Sequence, residues 1–330
     1  MEDFRAIQFH HARDFSKKMN VTFEFIRQNF KSLGKAILVI AGPPILVASL
    51  IMGTFMGEFF TLIQSVSTNP EATDSLQTYV MSVSFWLQMI LMMVFFLVSS
   101  VMSIATINNY ILLYGEKQTN QIEVGEVWER VRSTFWMYFA TMLLFAFLAI
   151  VVYIVMIIPV VLLAAVSPGL IILGIFLLFL AVFYVLFSLS LTFFVRAYEK
   201  SGFFEAIARS FKLVQGKWWS TFGLVFILYI VMICISYVFI LPLYIFMGVS
   251  AFHNISADNA QEPSTSVEMI TIVFTSLYYL AQMLLAALPN IGIAFQYFNL
   301  VELKEAKGLM NQIDTLGQPP APLPASDDQY

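Results

Sequence analysis

"AILVIAGPPILVASLIMGTFMG", residues 36–57, is the first long apolar run of the chain and carries no charged side chain. A helix that crosses the hydrocarbon of a bilayer needs about 20 consecutive apolar residues, so the length suits one span. Gly42, Pro43 and Pro44 in its middle do not suit an uninterrupted helix. Proline brings no backbone N–H, and its ring crowds the carbonyl four residues back. The carbonyls near Leu38 to Ile40 are therefore expected to lack their usual helical donors. In lipid such groups need a neighbouring helix, a side chain or water. The expectation is a kinked span packed against other helices, and broken spans of this kind also line substrate sites in transporters.

Five further stretches share the character of the first, at 82–110, 136–164, 170–195, 219–248 and 270–299. The whole chain is 59% hydrophobic and only 12% charged, against about 25% charged for a soluble domain. The charges test the map independently, because a lysine or arginine at mid-bilayer costs about 2.5–3.5 kcal/mol on insertion scales. All 17 Lys/Arg and all 21 Asp/Glu fall outside the six stretches. The predicted fold is all-α, with six transmembrane helices in three hairpins.

Orientation follows from where the cations lie, since short cytoplasmic loops retain Lys and Arg. Seven lie before residue 36, and Lys117, Arg130 and Arg132 lie in the second loop. Arg196, Lys200, Arg209, Lys212 and Lys217 lie in the fourth loop, and Lys304 and Lys307 in the tail. The other loops carry only acidic charges, among them Glu58, Asp74 and Glu268. Both termini are thus expected in the cytoplasm. The first apolar run starts after a long polar segment and lacks a small-residue cleavage site, which reads as an anchor and not a signal peptide. Cys234, the single cysteine, lies within the fifth span and reads as a packing residue.

Three segments repeat a pattern: "FEFIRQNF" (23–30), "WERVRSTF" (128–135) and "FEAIARSF" (204–211). Each has Glu, an aliphatic residue two positions on and Phe six on, and each precedes an odd-numbered span. Basic and aromatic residues on a helical period read as an amphipathic helix lying in the inner interface, cations toward anionic headgroups. Residues 1–35 then form an amphipathic cytoplasmic region, 36–300 the membrane domain, and 301–330 a cytoplasmic helix with a Pro-rich tail. Trp218 and Trp219, just after Lys217, fit an interfacial anchor. The tail "QPPAPLPASDDQY" (318–330) reads as extended and disordered.

The third repeat, "EAIARSFKLVQGKWW" running into "TFGLVFIL", resembles bacterial six-helix proteins grouped with the membrane domain of glycerophosphoryl diester phosphodiesterases. "FEFIRQNFKSLGKAILVIAGPP" and "FQYFNLVELKEAKGLMNQIDTLG" resemble a Bacteroidota-type branch of that collection. The resemblance implies a membrane fold over nearly the whole chain. It also implies neighbours among small membrane proteins and MoxR-type ATPases. It brings no catalytic residue, because the soluble phosphodiesterase domain is absent from the sequence.

Chemistry is sparse. No Asp, Glu or His lies within a span, which argues against proton coupling, and no G-x-x-x-x-G-K-[ST] phosphate loop is present. H-E-x-x-H, G-x-S-x-G and cysteine pairs are also missing, and His10 and His11 read as an exposed pair, with His253 beyond the fifth span. No enzyme activity, cofactor, metal site or nucleic-acid partner is therefore expected. Polar residues within the spans, Gln88, Ser99, Ser100, Ser103, Thr106, Asn108, Asn109, Gln282, Asn290, Gln296 and Asn299, read first as helix-packing groups. The sequence points to a non-catalytic membrane subunit or scaffold. Its candidate contacts to partners and lipid headgroups are Arg27, Arg130, Arg132, Arg209, Lys212, Lys217, Trp218 and Trp219. The alternative is a permease or lipid-handling channel built on Pro43, Pro44, Gln88, Asn108, Asn109, Pro289 and Asn290.

Overall fold

A computed structural model of the chain describes residues 5–68, 73–167, 169–257, 265–308 and 310, and these are all-helical, with no strand among them. Its helices are α1 (Phe15–Ala36), α2 (Gly42–Thr68), α3 (Thr73–Met81), α4 (Val83–Lys117), α5 (Val124–Val166) and α6 (Leu170–Leu189). They continue with α7 (Thr192–Glu199), α8 (Phe203–Val214), α9 (Trp218–Ala257), α10 (Thr265–Leu285) and α11 (Ala287–Glu305). Among the described residues, six helical stretches are long and apolar enough to cross a membrane: Phe15–Ile63, Val83–Lys117, Val124–Val166, Leu170–Glu199, Trp218–Val249 and Val267–Glu305. The predicted Pro-rich tail lies outside the described residues.

The first span is longer than expected and unbroken. Asp14 caps α1 by accepting the Lys17 N–H at 2.9 Å. The helix then runs through a single π-helical turn, Ile37–Ala41, into α2. In that turn the Gly42 N–H reaches back five residues to the Ile37 carbonyl. Widening the turn by one residue gives the rings of Pro43 and Pro44 room without breaking the rod. The turn packs against α4 and is buried at Ile37, Ile40 and Ala41, so protein covers the backbone the prolines disturb.

Two of the three repeat segments are likewise not separate helices. The first lies inside α1 and the second inside α5, each in one helix with the span that follows. Only the third stands alone, as α8, because Gly216 at φ 78° turns the chain before α9. A non-glycine residue rarely takes that left-handed conformation. In all three copies the shared glutamate, Glu24, Glu129 and Glu205, faces outward. The sixth span breaks at Ala286, three residues before Pro289, and Asn290 donates its side-chain amide to the Ala286 carbonyl at 2.7 Å. The expected cytoplasmic helix after Phe298 stops at Glu305, where Ala306 takes φ 50°.

Among the described residues the most extensive helix–helix seam joins α2 and α10. Ser49, Gly53 and Gly57 follow one another at four-residue spacing along α2, a small-residue stripe that lets two backbones approach. A Cβ on Gly53 would come within 2.7 Å of the Ile272 carbonyl oxygen, and one on Gly57 within 2.7 Å of the Ile272 side chain. The α5–α6 hairpin packs in the opposite way. The apolar window of α5 is 0% buried within the chain and that of the following span 6%, against 44% for the first span.

The best-packed region is the end of the bundle that gathers residues 5–14, loop 118–123, α7, α8 and the end of α11. Residues 5–14 precede the first helix and run across this end. The Ile7 N–H donates to the Tyr114 hydroxyl at 2.9 Å, and the Arg13 N–H to Asn299 Oδ1 at 2.6 Å. Phe9 stacks on Phe298 with ring centroids 4.7 Å apart and on Tyr114 at 5.8 Å. Each such pair contributes about 0.5–1.5 kcal/mol beyond its area burial.

Candidate functional site

At this same end lies a cavity of about 1020 Å³. Its walls come from residues 7–10, the last turns of α4 with Gln118, the first turns of α5, the chain from Arg196 to Ser201, and Gly308. Each wall is fixed by local structure. Asn109 of α4 donates to the Ala105 carbonyl at 2.9 Å and to Thr134 Oγ1 of α5 at 2.8 Å, which ties the two helices together. Lys200 ends α7 in the left-handed conformation, φ 53°, and so turns the chain along the cavity rim. Gly115 leaves room for the Phe9 ring, which a Cβ there would meet at 2.7 Å.

The lining is basic. Arg130 forms a two-point ion pair with Glu116, one contact being Nη1 to Oε1 at 3.0 Å, so that charge is compensated. Arg196 has no carboxylate partner among the described residues. It donates to Thr141 Oγ1 at 2.6 Å and sits 6.0 Å from the Phe203 ring centre. Lys200 also lacks an ion-pair partner among the described residues and is exposed. His10 contacts the Tyr198 hydroxyl through Nε2 at 3.2 Å, while its Nδ1 is buried without a hydrogen-bond partner. The Ser201 hydroxyl is buried and unpartnered as well. Burial holds the His10 imidazole below its ordinary value of 6.5 despite the opposing pull of Glu302.

Beside the cavity, Arg209 of α8 joins two helices. Its Nη1 meets Glu305 Oε1 at 2.5 Å and its Nε meets Glu199 Oε1 at 3.0 Å, while the Tyr297 hydroxyl donates to the same Glu199 oxygen at 2.6 Å. Glu305 first, and then Glu199, raise the already high pKa of this guanidinium. A second polar group lies between α1, α9 and α11. There Lys18, 1% exposed, donates to Gln296 Oε1 at 2.9 Å and Ser220 Oγ at 2.5 Å, and Gln296 donates to Thr221 Oγ1 at 2.9 Å.

The structure scatters the residues singled out as partner or headgroup contacts. Arg130 lines the cavity, Arg209 sits in its two-carboxylate network, and Arg132, Lys212 and Lys217 are exposed. Arg27 lines a separate basic groove with Lys31 and Lys35, at four-residue spacing along α1. Trp218 stacks on Phe222 at 5.3 Å and Tyr184 at 5.6 Å and donates to the Tyr184 carbonyl, so it fastens α9 to α6. Trp219 is 76% exposed. Of the residues singled out as a polar pathway, Asn109 reaches the cavity and Asn108 is buried beside it in sequence. Gln88 accepts from Tyr79 at 3.2 Å, far along α4 from Asn109. Pro43 and Pro44 lie in the first span, and Pro289 and Asn290 at the start of α11, away from the cavity lining.

Arg196, Lys200 and Ser201 escaped the sequence reading because Arg196 and Lys200 served there only as loop cations that orient the chain. The expected exposed pair His10-His11 divides, His11 exposed and His10 half-buried against Phe298 at 5.1 Å. No pattern in the sequence signals this, since the docking of residues 5–14 depends on contacts with α4 and α11.

No curated protein and no solved structure matches the chain. A family described as a domain of unknown function, DUF8558, matches residues 37–280, from the π-helical turn of the first span to near the end of α10. That match covers most of the chain, including all six spans in whole or part, and the protein belongs to this family.

Proposed function

We propose that the protein is a non-catalytic integral subunit or scaffold of a complex in a bacterial cytoplasmic membrane, with both termini in the cytoplasm. The observation that carries this reading is the α5–α6 hairpin. A span within a bundle buries the stripe that faces its neighbours, as the first, second and fifth spans do at 44%, 39% and 33%, and the sixth does less fully at 17%. The windows of the third and fourth spans are far less covered, at 0% and 6% fully buried, and their inward-facing residues are only half-buried. A second membrane protein with spanning helices of its own would supply the missing surface. The orientation is supported by the gathering of the basic loops at the end where residues 5–14 dock. The resemblance to the phosphodiesterase membrane domains supports a partner of the kind found beside that group, another small membrane protein with a MoxR-type ATPase system.

The test is purification of the tagged protein from its own membrane in mild detergent, with quantitative mass spectrometry of what remains bound. A stoichiometric membrane-protein partner is expected. A solitary chain at every detergent concentration contradicts the proposal.

A second reading, lipid or solute handling, is favoured by one observation: the cavity joins Asn109 of the second span to unpaired cations. The route expected through a broken first span has no support in the continuous helix Phe15–Ile63.

A further inference from the structure

The cavity combines three features that a purely structural void lacks. Its volume, about 1020 Å³, lies at the upper end of the range of about 300–1,000 Å³ usual for ligand pockets. Two buried polar atoms in its lining residues, His10 Nδ1 and Ser201 Oγ, have no hydrogen-bond partner, whereas buried polar groups are nearly always paired. Its charge is also unbalanced. With Arg130 committed to Glu116, Arg196 and Lys200 remain without a carboxylate among the described residues.

We propose that this cavity binds a phosphoryl dianion, with the Arg196 guanidinium and the Lys200 ammonium as its charge partners. The planar guanidinium presents paired N–H donors that match two oxygens of a phosphoryl group, and a lysine adds a mobile point charge. Thr141 holds Arg196 from behind at 2.6 Å, which limits the side-chain freedom lost on binding. Two uncompensated cations match two negative charges, so a phosphate monoester suits the site better than a carboxylate. Ile7, Phe9, Leu112 and Met137 add apolar wall, so the phosphoryl group has room to carry an organic substituent. Such a group arrives either on a small solute or on the headgroup of an anionic lipid. The inference does not depend on the α5–α6 hairpin having a partner.

The experiment uses the full chain in two settings. Inorganic phosphate is titrated by calorimetry into protein in neutral detergent, and protein in nanodiscs with phosphatidic acid is compared with protein in phosphatidylcholine by native mass spectrometry. Lys200→Gln is the main variant, because Lys200 is exposed and its loss removes charge without opening the core. Arg196→Gln is the second variant and Lys17→Gln, on the outer surface of α1, the control. Phosphate binding that weakens about tenfold or more in Lys200→Gln and Arg196→Gln, but not in Lys17→Gln, supports the site and identifies a small solute. Retention of phosphatidic acid that is lost in the same two variants, without phosphate binding, supports the site and identifies a lipid headgroup. Absence of both ligands from the wild type, or binding unchanged in Lys200→Gln, overturns the proposal. If Arg196→Gln fails to fold, Lys200→Gln alone decides.

Discussion

Replacing Gly53 with alanine should separate α2 from α10. The new Cβ would lie 2.7 Å from the Ile272 carbonyl oxygen, while ordinary contact begins near 3.4 Å, and the Ser276 hydroxyl stands in the way as well. Backbone cannot rotate aside as a side chain can, so α10 must retreat by about 0.7 Å. A gap of about 0.5–1 Å forfeits a quarter to a half of the dispersion attraction between the atoms it separates. Because this seam is the most extensive among the described helices, the loss extends along it, and overpacking of this kind costs about 1–3 kcal/mol. The assay is reversible unfolding in mixed micelles, with Gly34→Ala as the reference. A Cβ at Gly34 meets nothing within 4 Å, so that change should be neutral or stabilising by up to about 1 kcal/mol. Equal stability of Gly53→Ala and Gly34→Ala would show that the α2–α10 seam has room for the added carbon.

Other outcomes follow from the end of the bundle where residues 5–14 dock. Arg209→Gln leaves Glu199 and Glu305 without their shared cation and should cost about 3 kcal/mol, read as a fall in the thermal midpoint, and Arg209→Lys should recover only part of it because one ammonium cannot reproduce the fork. Trp218→Ala removes the stack joining α9 to α6 and should cost about 1–3 kcal/mol in detergent unfolding, whereas Trp219→Ala should stay within about 0.5 kcal/mol. The His10 pKa is held below 6.5 in the folded chain, so the unfolded chain takes up the proton first as pH falls. Stability linked to the docking of residues 5–14 should therefore be present above about pH 6.5 and decline below it. Hydrogen exchange of residues 5–14 between pH 7.5 and 5 measures this, and a His10→Gln variant should show a flat profile.

The six spans were legible because lipid imposes a coarse requirement, long charge-free stretches, that composition reveals directly. The ends of the helices were not. Nothing between Phe135 and Trp136 stops a helix, so α5 runs from Val124 through the span, while Gly216 alone cuts α8 from α9. Pro43 and Pro44 were legible as a disturbance, but whether such a pair kinks a helix or is absorbed in a π turn depends on the α4 surface behind it. The candidate site was barely legible. The sequence marks Asn109 only as a polar residue in a span and Arg130 only as a basic one. Their meeting with His10, Arg196 and Lys200 needs contacts between residues far apart in the chain, such as the Ile7 N–H with Tyr114 and His10 with Tyr198. The small-residue stripe Ser49, Gly53 and Gly57 was present in the quoted segment but overshadowed by the prolines.

The most direct test of the proposed subunit role is photo-crosslinking in native membranes from the uncovered hairpin. A benzophenone amino acid replaces Phe147 of α5, 66% exposed, or Phe179 of α6, 58% exposed, and the adducts are identified by mass spectrometry. One discrete membrane-protein adduct is expected from both positions. Adducts to lipid alone from both positions would contradict the subunit role.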